Sequence, residues 1–174
     1  MRRVLSMLLI VVTLCCMCGC HSKKSEMQNP VNFYYCKNPI SFYGEDDVII
    51  PEIRDAFGYD DLVALTNLYL QGPKSDTLSS PFPARTTVRE LIQQNGKVSI
   101  SVSSQFAMLK GIDLTLSCAC LSMTLLELTA AESVVISAEG NLLDGAEYIV
   151  MTKDSFAVTD FYNQYSESTL QTEE

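Results

Sequence analysis

The sequence predicts a small α/β domain of the α+β sandwich kind: a sheet of about four strands with two helices on one face, in the order strand, helix, hairpin, helix, strand. Three observations carry this. Asn95-Gly96 stands between two strand-like arms and supplies the positive φ of a hairpin turn. Leu62, Leu65 and Leu68-Tyr69 form a one-sided apolar stripe at helical spacing. The stretch from Asp113 to Leu128 is apolar around much of its circumference, as a covered central helix would be.

In chain order, Val31-Asn32-Phe33-Tyr34-Tyr35-Cys36 reads as a first strand, rich in aromatic and β-branched residues. Asn38-Pro39 breaks it and Ser41–Asp47 reads as a turn. Val48-Ile49-Ile50-Pro51 reads as a short edge strand that Pro51 stops. Asp60 or Asp61 caps the first helix, where the helix dipole favours a carboxylate, and Gly72-Pro73 ends it. Residues 74–86 contain Pro81, Pro83 and many hydroxyl side chains, and read as a loop. In the second hairpin arm Val98, Ile100 and Val102 alternate with Lys97, Ser99, Ser101 and Ser103, so one face is buried and one is polar. Glu132–Ala138 reads as a strand, Glu139–Asn141 as a turn and Tyr148–Met151 as a last strand. From Ser166 the chain is polar and acidic, as a frayed tail would be.

The first 19 residues are set aside as a lipoprotein signal peptide. Arg2-Arg3 is a basic start, and the apolar run Val4–Met17 is shorter than the roughly 20 residues a spanning helix needs. It ends in Met17-Cys18-Gly19-Cys20, which resembles a bacterial lipobox. That resemblance implies cleavage after the recognition residues Met17, Cys18 and Gly19, acylation of Cys20 (palmitate-type chains included), and attachment to the extracytoplasmic face of the cell membrane. Two or more acyl chains anchor a protein stably. Residues 20–30 then form a lipidated tether, 31–151 the domain and 152–174 a C-terminal extension with the acidic tail.

The chain of 174 residues holds 12 Lys+Arg against 21 Asp+Glu, a formal charge of −9. An acidic surface repels phosphate backbones, so no nucleic-acid partner is expected. The one histidine, His21, lies in the tether, so His-based triads and His-rich metal sites are excluded from the domain. Glu45-Asp46-Asp47 and Asp60-Asp61 read as a solvated turn and a helix cap rather than catalytic pairs. No catalytic residues, metal ligands or cofactors are assigned, and no enzymatic activity is expected. Of the seven cysteines, Cys36, Cys118 and Cys120 fall in the domain, too few for a full disulfide framework. They read as small buried residues, with a Cys36–Cys118 or Cys36–Cys120 link open.

A set of motifs in this order resembles the GerMN domain, found in spore germination and sporulation proteins and in actinobacterial envelope lipoproteins. Its parts here are Tyr69-Leu70-Gln71-Gly72-Pro73, then Ser80-Pro81-Phe82-Pro83 and Thr86, the Asn95-Gly96 hairpin, Thr124-Leu125-Leu126-Glu127-Leu128, and Val134-Val135-Ile136. The resemblance makes Gly72, Pro73, Ser80, Pro81, Pro83, Asn95, Gly96, Leu125, Glu127 and Leu128 structural motif residues. It implies a fold similar to a ring-building motif of sporulation channels, and a non-catalytic, protein-binding role with an envelope or sporulation partner. Loop 74–86, the surface around Tyr69 and the Asn95-Gly96 turn are the candidate binding surfaces. The alternative is a small-ligand-binding lipoprotein accessory to a transporter, although such proteins usually need two lobes.

Overall fold

A computed structural model of the chain describes residues 27–41 and 47–156. The signal peptide, the lipobox Met17–Cys20, most of the tether, most of the turn before residue 47 and the acidic tail lie outside the described residues.

The expected α/β class and element order are found, with the strands divided between two sheets. The first sheet joins β1 (Pro30–Lys37), β2 (Ile49–Asp55) and β3 (Leu78–Ser79) in the order β2-β1-β3. The second joins β4 (Val88–Gln94), β5 (Lys97–Val102), β6 (Ser133–Ala138) and β7 (Ile149–Thr152) in chain order. The helices are α1 (Leu62–Leu70) and α2 (Gly111–Thr129).

The four-stranded sheet follows from local chemistry. Asn95 and Gly96 take φ of 53° and 70°, which closes the β4–β5 hairpin. β5 and β6 are parallel, so the chain must cross over between them, and a 3-10 turn at Ser104–Met108 followed by α2 makes that crossover. Val98, Ile100 and Val102 of β5 and Val134, Ile136 and Ala138 of β6 turn to the helix and are buried. Leu121 and Leu125 of α2 meet that side of the core and are fully buried.

Helix α2 packs against β1 as well as against β5, β6 and β7. By length and composition it could cross a membrane, but more than half of its apolar window is buried inside the domain, as a core helix should be. α1 lies against β4, where Asn67 Oδ1 accepts from the Val88 N–H at 2.9 Å. Asp61 is its N-cap, accepting from the Val63 N–H at 3.1 Å. Gly72 at φ 99° turns the chain away, its N–H bonded to the Tyr69 carbonyl at 3.0 Å.

Pro51 does not stop β2, which continues to Asp55. β2 is an edge strand, and Pro51 stands opposite Tyr34. At a non-hydrogen-bonded antiparallel pair both residues point their polar groups away from each other, so the missing N–H falls on the open edge.

The polar groups of Tyr34 on the other edge of β1 need partners, because β3 pairs only with Cys36 and Lys37. Side chains supply them. The Tyr34 N–H donates to Thr124 Oγ1 at 3.0 Å, and the Tyr69 hydroxyl donates to the Tyr34 carbonyl at 2.7 Å. The Tyr35 hydroxyl in turn donates to the Tyr69 carbonyl at 2.7 Å. Thus β1 is tied to both helices through its own backbone.

Candidate functional site

The motif residues other than Asn95 and Gly96 gather around the first sheet and the two helices. Tyr69 is fully buried at the centre of an aromatic cluster, with ring centroids 5.1 Å from Phe33, 5.0 Å from Tyr35 and 5.1 Å from Phe82. Phe82 continues the row to Phe106 at 6.5 Å. Tyr69 is therefore removed from the candidate binding surface: it is core, and so is Phe82.

Gly72 and Ser80 lie side by side, since a Cβ on Gly72 would stand 3.5 Å from Ser80 Cβ. Ser80 Oγ accepts from the Phe82 N–H at 3.3 Å. The Pro81 carbonyl accepts from the Ser117 hydroxyl of α2 at 2.5 Å. The Pro83 carbonyl accepts from the Thr86 hydroxyl at 2.7 Å. The Gly-Pro step thus packs beside the Ser-Pro-Phe-Pro loop, and that loop is hydrogen-bonded to α2. Pro73 follows Gly72, half-buried.

A latch that the sequence did not announce holds this loop from the other side. Glu52 of β2 accepts from the N–H groups of Lys74 and Ser75, at 2.9 and 2.8 Å, and from the Arg54 guanidinium at 2.6 Å. Arg54 is buried, 5.8 Å from the Phe33 ring centroid and 3.5 Å from the Gly72 carbonyl. Burial opposes the charge on Glu52, but Arg54 and the two N–H donors outweigh it and hold the carboxyl below its ordinary range. The signal in the sequence was Glu-x-Arg, two residues on one face of a strand; ending β2 at Pro51 hid it.

On α2, Cys120, Thr124 and Glu127 share the stripe that faces β1. Glu127 accepts from the Tyr34 hydroxyl and the Asn32 amide, both at 2.6 Å. Burial, with the Glu127 carboxylate beside it, pushes the Tyr34 phenol up to about 12. Leu125 is fully buried, and Leu128 packs against the core. The Asn95-Gly96 turn is exposed and distant in register from these, and the Gly96 carbonyl accepts from the Glu132 N–H at 2.7 Å.

Two open grooves flank the core. One, of about 250 Å³, lies between the first half of α2 and β7, lined by Leu114, Cys118, Ile149 and Met151. The other, of about 450 Å³, runs along the Ile50–Glu52 stretch of β2 beside Thr77 and Leu78. Among the described residues, no group of three His, Cys, Asp or Glu side chains is placed to hold a metal ion.

Among the described residues, no helix covers the outer face of the four-stranded sheet. Register places Ile92, Ser99, Val135 and Val150 in one row across all four strands. Ile92 and Val150 are about half exposed, at 49% and 51%. Glu90, Ser101 and Ser137 form the row on one side, and Gln94, Lys97, Ser133 and Thr152 the row on the other. The face is hydroxyl-rich and apolar only along its middle.

Comparison with solved structures places this architecture. The tandem GerMN domains of the sporulation protein GerM from Bacillus subtilis match with a TM-score of 0.50 and 21% identity, over 69% of this chain and 43% of that one. This chain thus spans less than half of the tandem structure. The first GerMN domain of the same protein matches with a TM-score of 0.48 and 16% identity, over 64% of this chain and 84% of that one. A candidate lipoprotein of Clostridium perfringens matches at 0.41 and 12%, over 72% and 89%. No curated protein matches the chain. Residues 34–144 match the Germane family, described as sporulation and spore germination. That match spans β1 through the turns before β7 and more than half of the chain, so the protein belongs to the Germane (GerMN) family.

Proposed function

We propose that the protein is a membrane-anchored, extracytoplasmic lipoprotein whose single GerMN-like domain binds a protein partner in sporulation or germination and performs no chemistry. The family match over residues 34–144 carries the reading. The sheet face left open among the described residues supports it: the row Ile92, Ser99, Val135, Val150 offers an apolar centre with a polar rim. The lipobox-like Met17–Cys20 run supports the anchor, with Cys20 as the acylated residue.

The test is complementation in the native host. Val135→Arg with Val150→Arg places two charges on the open face while leaving the buried side of the sheet intact. The doubly substituted chain reaches the membrane at the normal level and reproduces the spore-formation or germination defect of the deletion strain. Full complementation by this variant would overturn the assignment of the face; absence of any spore defect in the deletion strain would overturn the sporulation role.

A further inference from the structure

The sequence allows Cys36 two partners, and the structure separates them. Cys36 stands on the face of β1 that also carries Asn32 and Tyr34, and that face meets the α2 stripe of Cys120, Thr124 and Glu127. The Cys36 and Cys120 sulfurs are 3.9 Å apart, and both residues are fully buried, at 1% and 0% exposure. Two residues along a helix turns a side chain by about 200°. Cys118 accordingly faces the other way, into the groove beside Ile149 and Met151.

We propose that Cys36 and Cys120 are a disulfide-forming pair, closed by a disulfide oxidant into a staple between β1 and α2, while Cys118 remains a thiol. A bonded pair stands about 2.0 Å apart. Closing the pair therefore brings the two Sγ atoms about 1.9 Å closer. In the reaction the Cys36 thiolate attacks one sulfur of the oxidant's disulfide and expels the other as a thiolate. Cys120, as thiolate, then attacks Cys36 Sγ and expels the second. One S–S bond forms in the protein, the oxidant's S–S bond is reduced to two thiols, and the two protein thiol protons pass to them. Attack by Cys120 first gives the same bond and the same balance. Both sulfurs are buried, so exchange takes place as the chain folds, before β1 docks on α2. The inference needs an oxidant and not a membrane, so it stands or falls apart from the lipid anchor.

The test refolds the full chain with oxidised and reduced glutathione, alkylates the remaining thiols, and maps the unreduced digest by mass spectrometry. The expected result joins the Cys36 peptide to the peptide bearing Cys120, with Cys118 alkylated. The link persists in Cys118→Ser and disappears in Cys120→Ser. In the wild-type chain and in Cys118→Ser, reduction lowers the melting temperature by about 5–15 °C, because the bond closes a long loop. A Cys36 link to Cys118 or to an N-terminal cysteine, or a Cys36 alkylated as fully as Cys118, would overturn the proposal. Because the wild type and Cys118→Ser are both mapped, the result does not depend on Cys120→Ser folding.

Discussion

Thr124→Val tests how β1 is held. Thr124 is fully buried on α2, and its hydroxyl accepts from the Tyr34 N–H at 3.0 Å. The same hydroxyl lies against the Tyr69 phenol, which donates to the Tyr34 carbonyl. Valine keeps the shape and removes the acceptor. The Tyr34 N–H cannot turn to β2, because its antiparallel partner is Pro51 and that pair points its polar groups apart. An orphaned donor in a partly buried site costs about 1–3 kcal/mol. For a domain of this size that is a fall of roughly 3–15 °C in melting temperature. Thr124→Ser restores the hydroxyl, loses one methyl, and lies between the two. Thermal unfolding of the three chains, followed by circular dichroism, measures this. A Thr124→Val chain as stable as wild type, or a Thr124→Ser chain less stable than Thr124→Val, would refute the account of the β1 edge.

Glu52→Gln probes the latch. The folded-state pKa of Glu52 is lowered, so its contribution is fully present above the ordinary carboxylate range and is lost as pH falls through the folded value. Glu52→Gln is therefore less stable by about 1–3 kcal/mol at pH 7, and the gap narrows below roughly pH 4. An equal gap at pH 7 and pH 3 would contradict the latch. Ser122→Ala runs the other way. The Ser122 hydroxyl is fully buried in the middle of α2, with no hydrogen-bond partner among the described residues. Alanine removes that unpaired group and favours the helix, so stability rises by about 0.5–1.5 kcal/mol in a urea titration; a loss would show that the hydroxyl is satisfied in solution.

Much of the fold was legible because its signals are local. Asp61, Gly72-Pro73 and Asn95-Gly96 mark ends and turns through chemistry confined to a few residues. The alternation of Val98, Ile100 and Val102 marks a buried face without reference to anything distant. What was hidden depends on partners far along the chain. The division into two sheets rests on β1 pairing with β2 and with the two-residue β3, which lies inside what reads as a loop. Whether Pro51 ends a strand depends on which edge its nitrogen faces, and only the register with Tyr34 decides it. Tyr69 and Phe82 have the composition of a binding surface or of a core, and packing made them core. The Glu52–Arg54 latch spans 22 residues to Lys74, beyond any local pattern. The open row Ile92, Ser99, Val135, Val150 exists only once four strands are aligned.

The proposed function requires an acylated protein that acts outside the cytoplasm at the developing spore. It is tested most directly by following a C-terminally tagged full-length chain, wild type and Cys20→Ser, through growth and spore formation in the native host, with an alkyne fatty acid supplied. The account predicts a labelled wild-type chain in the membrane fraction, cleaved by external protease and concentrated at the developing spore, and an unlabelled Cys20→Ser chain released from the membrane. Equal membrane retention of Cys20→Ser, or even distribution of the wild type around cells that never form spores, would contradict it.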